Sequence, residues 1–325
     1  MFEFKKECGK DFVILNLADV QLSNEDWYPG SKNYEIAIRT IDTLIQRTDP
    51  DLITLSGDQG APGHLESHLK LGSLIDGYNV PWTLVWGNHD QQNGYEFTDT
   101  VIERYSHLKN FVYEHGPAEL GRGNFVIKIS ENDRPVSALI MMDTHDRMPF
   151  TNANGETKDA WAQLYPEQFT WYEQQIKALD ELGYKDTVII SHIPIYAYKT
   201  AAERAFKSDI DINKISFLES LKGNVWNEGY ESSFGVQYES ISSYPDDDGF
   251  FNLIKRLGST KHYLCGHDHI NCTSIEHEGI RLTFALKTGA GCYWKPELNG
   301  GTVIRITENG PHAPEHEFVD VRHLL

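Results

Sequence analysis

Five short polar motifs in this chain carry the residue types of a metal site: Leu17-Ala18-Asp19, Ser56-Gly57-Asp58, Gly87-Asn88-His89-Asp90, Ser191-His192 and Gly266-His267-Asp268-His269. Each ends an apolar run. Taken singly, each has a plain structural explanation: Asp19 as a cap, Asp58 as a turn residue after a glycine, Asn88 to Asp90 as a surface loop. Taken together, five strand ends rich in carboxylate, amide and imidazole would leave many buried polar groups unpaired unless a shared cation satisfied them. The donor set has oxygen and nitrogen but no thiolate. It suits two divalent or mixed-valence ions (Mn, Fe or Zn) better than calcium or a structural zinc. Two such ions about 3.5–4 Å apart can clamp a phosphoryl group and lower the pKa of a bound water toward about 7.

Such residues are far apart in sequence, so the fold must bring them together. Phe12–Leu17, Leu52–Leu55, Trp82–Trp86, Ala138–Met142, Thr187–Ile190 and His262–Leu264 read as buried strands. Helical spacing lies between them: Tyr34, Ala37, Ile38, Ile41, Leu44 and Ile45, closing at Asp49-Pro50, then His64 to Ile75, Glu96 to His107, and Pro166 to Leu182 with proline in its first turn. This alternation predicts an α/β sheet, and in such sheets ligands gather at the carboxyl ends of the strands. Ile280–Ala285 and Thr302–Ile306 predict further strands in an antiparallel or mixed region. Residues 205–248 lack periodicity and read as a loop insertion within one domain spanning residues 1–325.

Composition narrows the function. Lys and Arg total 29 against 48 Asp and Glu, a net charge of −19, which makes nucleic acid an unlikely partner because backbone binding depends on Lys and Arg. No apolar stretch approaches the roughly 20 residues that a membrane helix needs, and residues 1–10 lack the apolar core of a leader, so a cytoplasmic location is expected. Cys8, Cys265, Cys272 and Cys292 are too few and too irregular for a disulfide framework and are expected to be reduced thiols.

The motifs, in this order and each after an apolar strand, resemble those of the calcineurin-like metallophosphoesterase superfamily. Ser191-His192-Ile193-Pro194, Gly249-Phe250-Phe251 and Thr288-Gly289-Ala290-Gly291 are similar to its purple-acid-phosphatase-like branch. The resemblance implies an α+β arrangement: a central β-sandwich of two mixed sheets flanked by helices, with a dinuclear metal centre at one edge. By position, Asp19, Gln21 and His269 would hold the first ion, Asp58 would bridge, and Asn88, His192 and His267 would hold the second. His89 would face the substrate, and Asp90 would orient it. The implied activity is that of a phosphatase or phosphodiesterase, in which hydroxide bound to the metal centre attacks a phosphate ester in line. A weakly catalytic or non-catalytic metal-binding module, or a nuclease with the same centre, is the alternative.

Two departures from the family pattern matter. The usual Asp-x-His is Asp19-Val20-Gln21 here, so an amide stands where an imidazole is common and the first ion would be held more loosely. His145, in Asp143-Thr144-His145, follows another apolar strand and is a candidate to fill that gap. The second departure is Ala61, which occupies the position of the tyrosine in Gly-Asp-x-x-Tyr that gives purple enzymes their ferric colour, so no such colour is expected. Tyr28, Tyr95, Tyr198, Tyr244, Tyr293 and Trp294 are candidate substrate contacts.

Overall fold

The computed structural model describes residues 2–325. Two sheets face each other. One has seven strands in the order Phe2–Lys5, Phe125–Glu131, Arg134–Met141, Asp186–Ile190, Thr260–Cys265, Ile280–Phe284 and Ser274–His277. In the other, Gly310–Pro311, Gly300–Thr307, Phe12–Leu17, Leu52–Ser56 and Trp82–Val85 lie side by side, with Glu315–Phe318 also paired to Gly300–Thr307. Both sheets mix parallel and antiparallel pairs.

Strand periodicity of two explains why nearly every strand residue is apolar. Ile14, Leu52, Val85, Leu139, Met141, Val188, Ile190 and Leu264 point into the space between the sheets. Their neighbours in sequence point the other way, Leu15, Ile53 and Leu84 toward one helical layer and Ala138, Ile140 and Ile189 toward the other. Strands buried on both faces read as continuous apolar runs rather than alternating ones. Asn16, Thr54 and Ser56 are buried polar exceptions that satisfy one another: Asn16 donates to Ser56 Oγ at 2.9 Å and accepts from Thr54 Oγ1 at 2.9 Å.

Helices Lys32–Thr48, Leu65–Gly77 and Tyr95–Tyr105 cover the six-stranded sheet, and Pro166–Glu181, Ala197–Ala205 and Phe250–Leu257 cover the seven-stranded one. Lys32–Thr48 buries Ile36, Ala37, Thr40, Ile41, Leu44 and Thr48, one helical stripe. It ends at Asp49, whose positive φ of 44° caps the last turn ahead of Pro50. The helices and strands expected from periodicity are present, to within a few residues at their ends.

Segment 206–249 has only two short helical pieces, Ile212–Lys214 and Phe217–Ser220, and is pinned by buried Val225, Trp226, Val236 and Ile241. An unexpected antiparallel hairpin, Arg147–Thr151 with Thr157–Trp161, stands apart from both sheets. Among the described residues, the four cysteines are unpaired and no helix is long and apolar enough to cross a membrane.

Candidate metal centre

The five motifs meet at the seam between the sheets. Phe12–Leu17, Leu52–Ser56 and Trp82–Val85 run parallel and deliver Asp19, Asp58 and Asn88 from one sheet. Asp186–Ile190 and Thr260–Cys265, also parallel, deliver His192 and His267 from the other. Just past the strand ends the backbone turns sharply, and Asp19, Gln21, Asp58 and His267 all sit at positive φ, 55°, 47°, 51° and 78°. Asp and His enter this region more readily than most residues.

Glycines let the loops close. Gly57, at φ 91°, lies so near the His192 ring that an added Cβ would overlap its Nδ1, and one at Gly87 would overlap the Asp58 carboxylate.

Oxygen and nitrogen atoms converge from both sheets. His192 Nδ1 donates to the Ser56 carbonyl at 2.8 Å, which turns its Nε2 toward Asn88 Oδ1 at 3.0 Å, Asp58 Oδ1 at 3.4 Å and His267 Nδ1 at 3.3 Å. A backbone acceptor that fixes the tautomer and aim of an imidazole is the usual support of a metal-ligating histidine. His269 has the same support: its Nδ1 donates to the Tyr293 carbonyl at 2.8 Å, and its Nε2 lies 3.3 Å from Asp19 Oδ1. Asp19, Asp58 and His269 bring one ligand atom each within 4.8 Å of one another, the spacing of a cation site.

Orphaned polar atoms fit the same reading. Gln21 donates its amide nitrogen to Asp58 Oδ2 at 2.9 Å, which leaves its buried Oε1 without a hydrogen-bond partner. His267 Nε2 is likewise buried and unpartnered. The residues present therefore fit a pair of cations: four carboxylate or amide side chains and three imidazoles face a space whose polar atoms the protein itself does not fully satisfy.

Electrostatics agree. Burial would raise the Asp58 carboxyl, but the His192 charge beside it wins and holds it well below the usual range. Burial opposes the His192 charge too, yet Asp58 pushes that ring up to about 10. Its neighbour His267 is driven down to about 3 by burial and by the His192 charge. Of these two rings, His192 is therefore the one that favours the positive charge. Lys287 is buried beneath it and donates to the Asp19 carbonyl, and burial lowers its ammonium to about 8 although the Asp19 carboxylate works the other way.

Asp90 corrects one expectation. Its carboxylate does not hold His89. It accepts from the backbone N–H of Asp58 at 2.8 Å, Gln59 at 3.0 Å and Gly87 at 2.8 Å, and from His68 Nε2 at 2.8 Å. The His68 ring also bonds the His64 carbonyl through Nδ1 at 2.9 Å. Burial disfavours the His68 charge, but Asp90 outweighs it and raises that ring. Asp90 is therefore a clamp on the loops that carry Asp58 and Asn88. His89 instead is one-third exposed, with Nε2 3.9 Å from Asp58 Oδ2 and Nδ1 without a partner.

His145 does not fill the gap beside Gln21: its Nε2 meets Gln168 Oε1 at 2.8 Å and its ring stacks on Tyr165 at 3.8 Å. Among the aromatic candidates, Tyr198 is buried packing, Tyr28 is exposed, Tyr95 lies 3.5 Å from His145 Nδ1, Trp294 packs on the helical layer, Tyr244 meets Phe150, and Tyr293 stacks on His269 at 4.2 Å. Sequence reading missed His68, Lys287 and Trp161. The last packs edge-on against His267 at 4.4 Å. A signal for His68 existed in principle, since a histidine on the buried stripe of a helix needs a partner.

A carboxylate, amide and imidazole cluster at the carboxyl ends of two facing sheets is the architecture of metal-dependent phosphoesterases. The chain belongs to the calcineurin-like phosphoesterase family, whose model matches residues 12–271. It is similar to two Arabidopsis thaliana proteins, "Probable inactive purple acid phosphatase 14", 26% identical over 91% of this chain and 75% of that protein, and "Probable inactive purple acid phosphatase 29", 23% identical over 88% and 74%. It is also 29% identical to "Phosphatase DCR2" of Saccharomyces cerevisiae over 91% of this chain, which spans half of that protein's length. The fold is shared with a dimetal phosphatase from Danio rerio, at a TM-score of 0.55 and 13% identity, covering 94% of this chain and 98% of that one.

Proposed function

We propose that this protein is a metal-dependent phosphoesterase that hydrolyses a phosphate ester at a dinuclear centre, with residues 1–325 acting as one domain. The observation that carries the reading is the convergence of Asp19, Asp58, Asn88, His192, His267 and His269 from two sheets on one space, together with the unpartnered oxygen of Gln21. Asp19, Gln21 and His269 would hold one ion, Asn88, His192 and His267 the other, and Asp58 would lie between. When bound, such ions supply positive charge to the phosphoryl oxygens and acidify water.

The chain's own groups do the rest. The Ser56 and Tyr293 carbonyls aim the His192 and His269 rings. The Asp90 clamp fixes the Asp58 and Asn88 loops relative to each other. His89, one-third exposed and with an unpartnered Nδ1, is free to turn toward a leaving-group oxygen and give it a proton.

A catalytically weak metal-binding module is the second reading. It is favoured by Gln21, which spends its amide nitrogen on Asp58 rather than offering an imidazole, and by the word "inactive" in the names of both Arabidopsis relatives.

The deciding experiment is hydrolysis of p-nitrophenyl phosphate and bis(p-nitrophenyl) phosphate by protein stripped of metal and reloaded separately with Mn, Zn or Fe, with Asn88→Ala as control. Metal-dependent turnover lost in Asn88→Ala supports the enzyme, and the preferred ester names monoester or diester chemistry. Bound metal without turnover of either ester favours the module.

A further inference from the structure

The hairpin Arg147–Thr151 with Thr157–Trp161 stands outside both sheets, yet it is attached on one side and exposed on the other. Phe150 packs edge-on to Tyr244 at 5.6 Å and an interplanar angle of 88°, which ties one face to the long 206–249 segment. The opposite face carries Arg147, Pro149 and Thr151 across from Trp161, Asp159 and Thr157 respectively, because directly opposed residues of an antiparallel pair share a face. That face turns its base toward the metal centre. Trp161 meets the His267 ring at 4.4 Å, and the Arg147 guanidinium lies over Trp161, 3.5 Å from the ring centroid.

Arg147 is thus a cation stacked one ring away from a candidate ligand of the centre. Its ion pair with Asp159 is long, 4.0 Å, and both partners are exposed, so that pair contributes little and can be exchanged for another anion. The aromatic platform fixes the plane of the guanidinium while leaving its N–H edge free, the arrangement in which arginine grips phosphate or carboxylate through two parallel bonds. A guanidinium separated from the metal ligands by one indole is too far out to share the phosphoryl group they would hold, but near enough for a group joined to it.

We infer that Arg147, braced on Trp161, binds a second anionic group of the substrate, so that the centre prefers phosphate esters or anhydrides carrying such a group over those with a neutral leaving group. This rests on the phosphoesterase reading for what sits at the metals, but its test reads binding rather than turnover. Methylenediphosphonate and methylphosphonate, which are not hydrolysed, are titrated into Mn-loaded protein by calorimetry.

The wild type is expected to favour the diphosphonate, and Arg147→Gln to cut the ratio of the two affinities about 10-fold, the worth of one charge-assisted bidentate contact. Arg147→Lys should recover part of the ratio, since it restores charge without the fork. Trp161→Leu, which removes the platform, should lower it with Arg147 intact. An unchanged ratio in Arg147→Gln, or equal wild-type affinities for the two probes, overturns the inference. Loss of the ratio in a protein that turns over no ester upholds it while removing the phosphoesterase reading.

Discussion

Replacing Asp90 with asparagine separates two accounts of the same residue. In the structure its carboxylate collects four donors, two on each oxygen: Asp58 N and Gly87 N on Oδ2, Gln59 N and His68 Nε2 on Oδ1. Asparagine has the same shape but one oxygen fewer. Whichever oxygen becomes NH2, two buried donors face another donor, and the His68 charge loses its counter-charge. At about 1–3 kcal/mol for each buried group left unsatisfied, the cost is on the order of 4 kcal/mol. For a chain of this size that is roughly 8 °C in melting temperature, at about 2 °C per kcal/mol. Differential scanning calorimetry of the metal-free protein measures it directly, with no turnover needed. If Asp90 instead served to orient His89, Asp90→Asn would match His89→Ala, with slower turnover and an unchanged melting temperature. That outcome would refute the clamp.

The remaining predictions concern the ligands, the seam and pH. His89→Ala should slow ester hydrolysis while retaining metal after dialysis, whereas Asp58→Ala or His267→Ala should lose both, as read by elemental analysis; metal loss in His89→Ala would contradict the placement of that side chain. Gly57→Ala should weaken metal retention by displacing the His192 ring, and a variant that keeps full metal content would show that the loop yields more easily than its packing indicates. Iron-loaded protein should show no tyrosinate charge-transfer band in its visible spectrum, because Ala61 stands where the tyrosine of purple enzymes would be.

His262 is buried at the start of its strand, and burial lowers its ring to about 4, although its Nε2 donates to the Pro311 carbonyl at 3.2 Å. The unfolded chain, with an ordinary histidine near 6.5, binds a proton that the folded protein refuses. His262 thus contributes its full stability above pH 6.5 and loses it as pH falls toward 4, by up to about 3 kcal/mol. Urea unfolding of His262→Gln should be less acid-sensitive across that window, and parallel curves for the two proteins would contradict this.

Much of the centre was legible because metal ligands at strand ends announce themselves twice, once by donor type and once by the apolar run before them. Asp19, Asp58, Asn88, His192, His267 and His269 all had both signals, and the structure brings them together. Asp90 was placed in the right loop but given the wrong partner, since adjacency in sequence pointed to His89 while the fold supplies His68 from a helix 22 residues earlier. The hairpin was missed because RMPFT and TKDAW mix charge, proline and small residues, and a strand pair held by two ring contacts, Phe150 on Tyr244 and Trp161 on His267, needs no long apolar run. Strand Phe125–Glu131 does alternate, but its lysine and glutamate hid it among polar loops; its Glu131 is buried against Lys6 at 2.6 Å. Segment 206–249 has no repeat to read, because isolated side chains such as Trp226 hold it in place.

Strand Phe12–Leu17, which positions Asp19, lies between Leu52–Ser56 and Gly300–Thr307. Ile14 thus pairs with Leu52 on one side and with Ile304 on the other. Contacts of such long sequence separation are slow to form, because a large loop must close before they yield any energy. Asp19, Gln21, Asp58 and Asn88 leave the ribosome within the first 90 residues, but the strand that seals their sheet is made some 200 residues later. These four candidate ligands are thus made first, and the imidazoles of His192, His267 and His269, carried by the other sheet, follow more than 100 residues later.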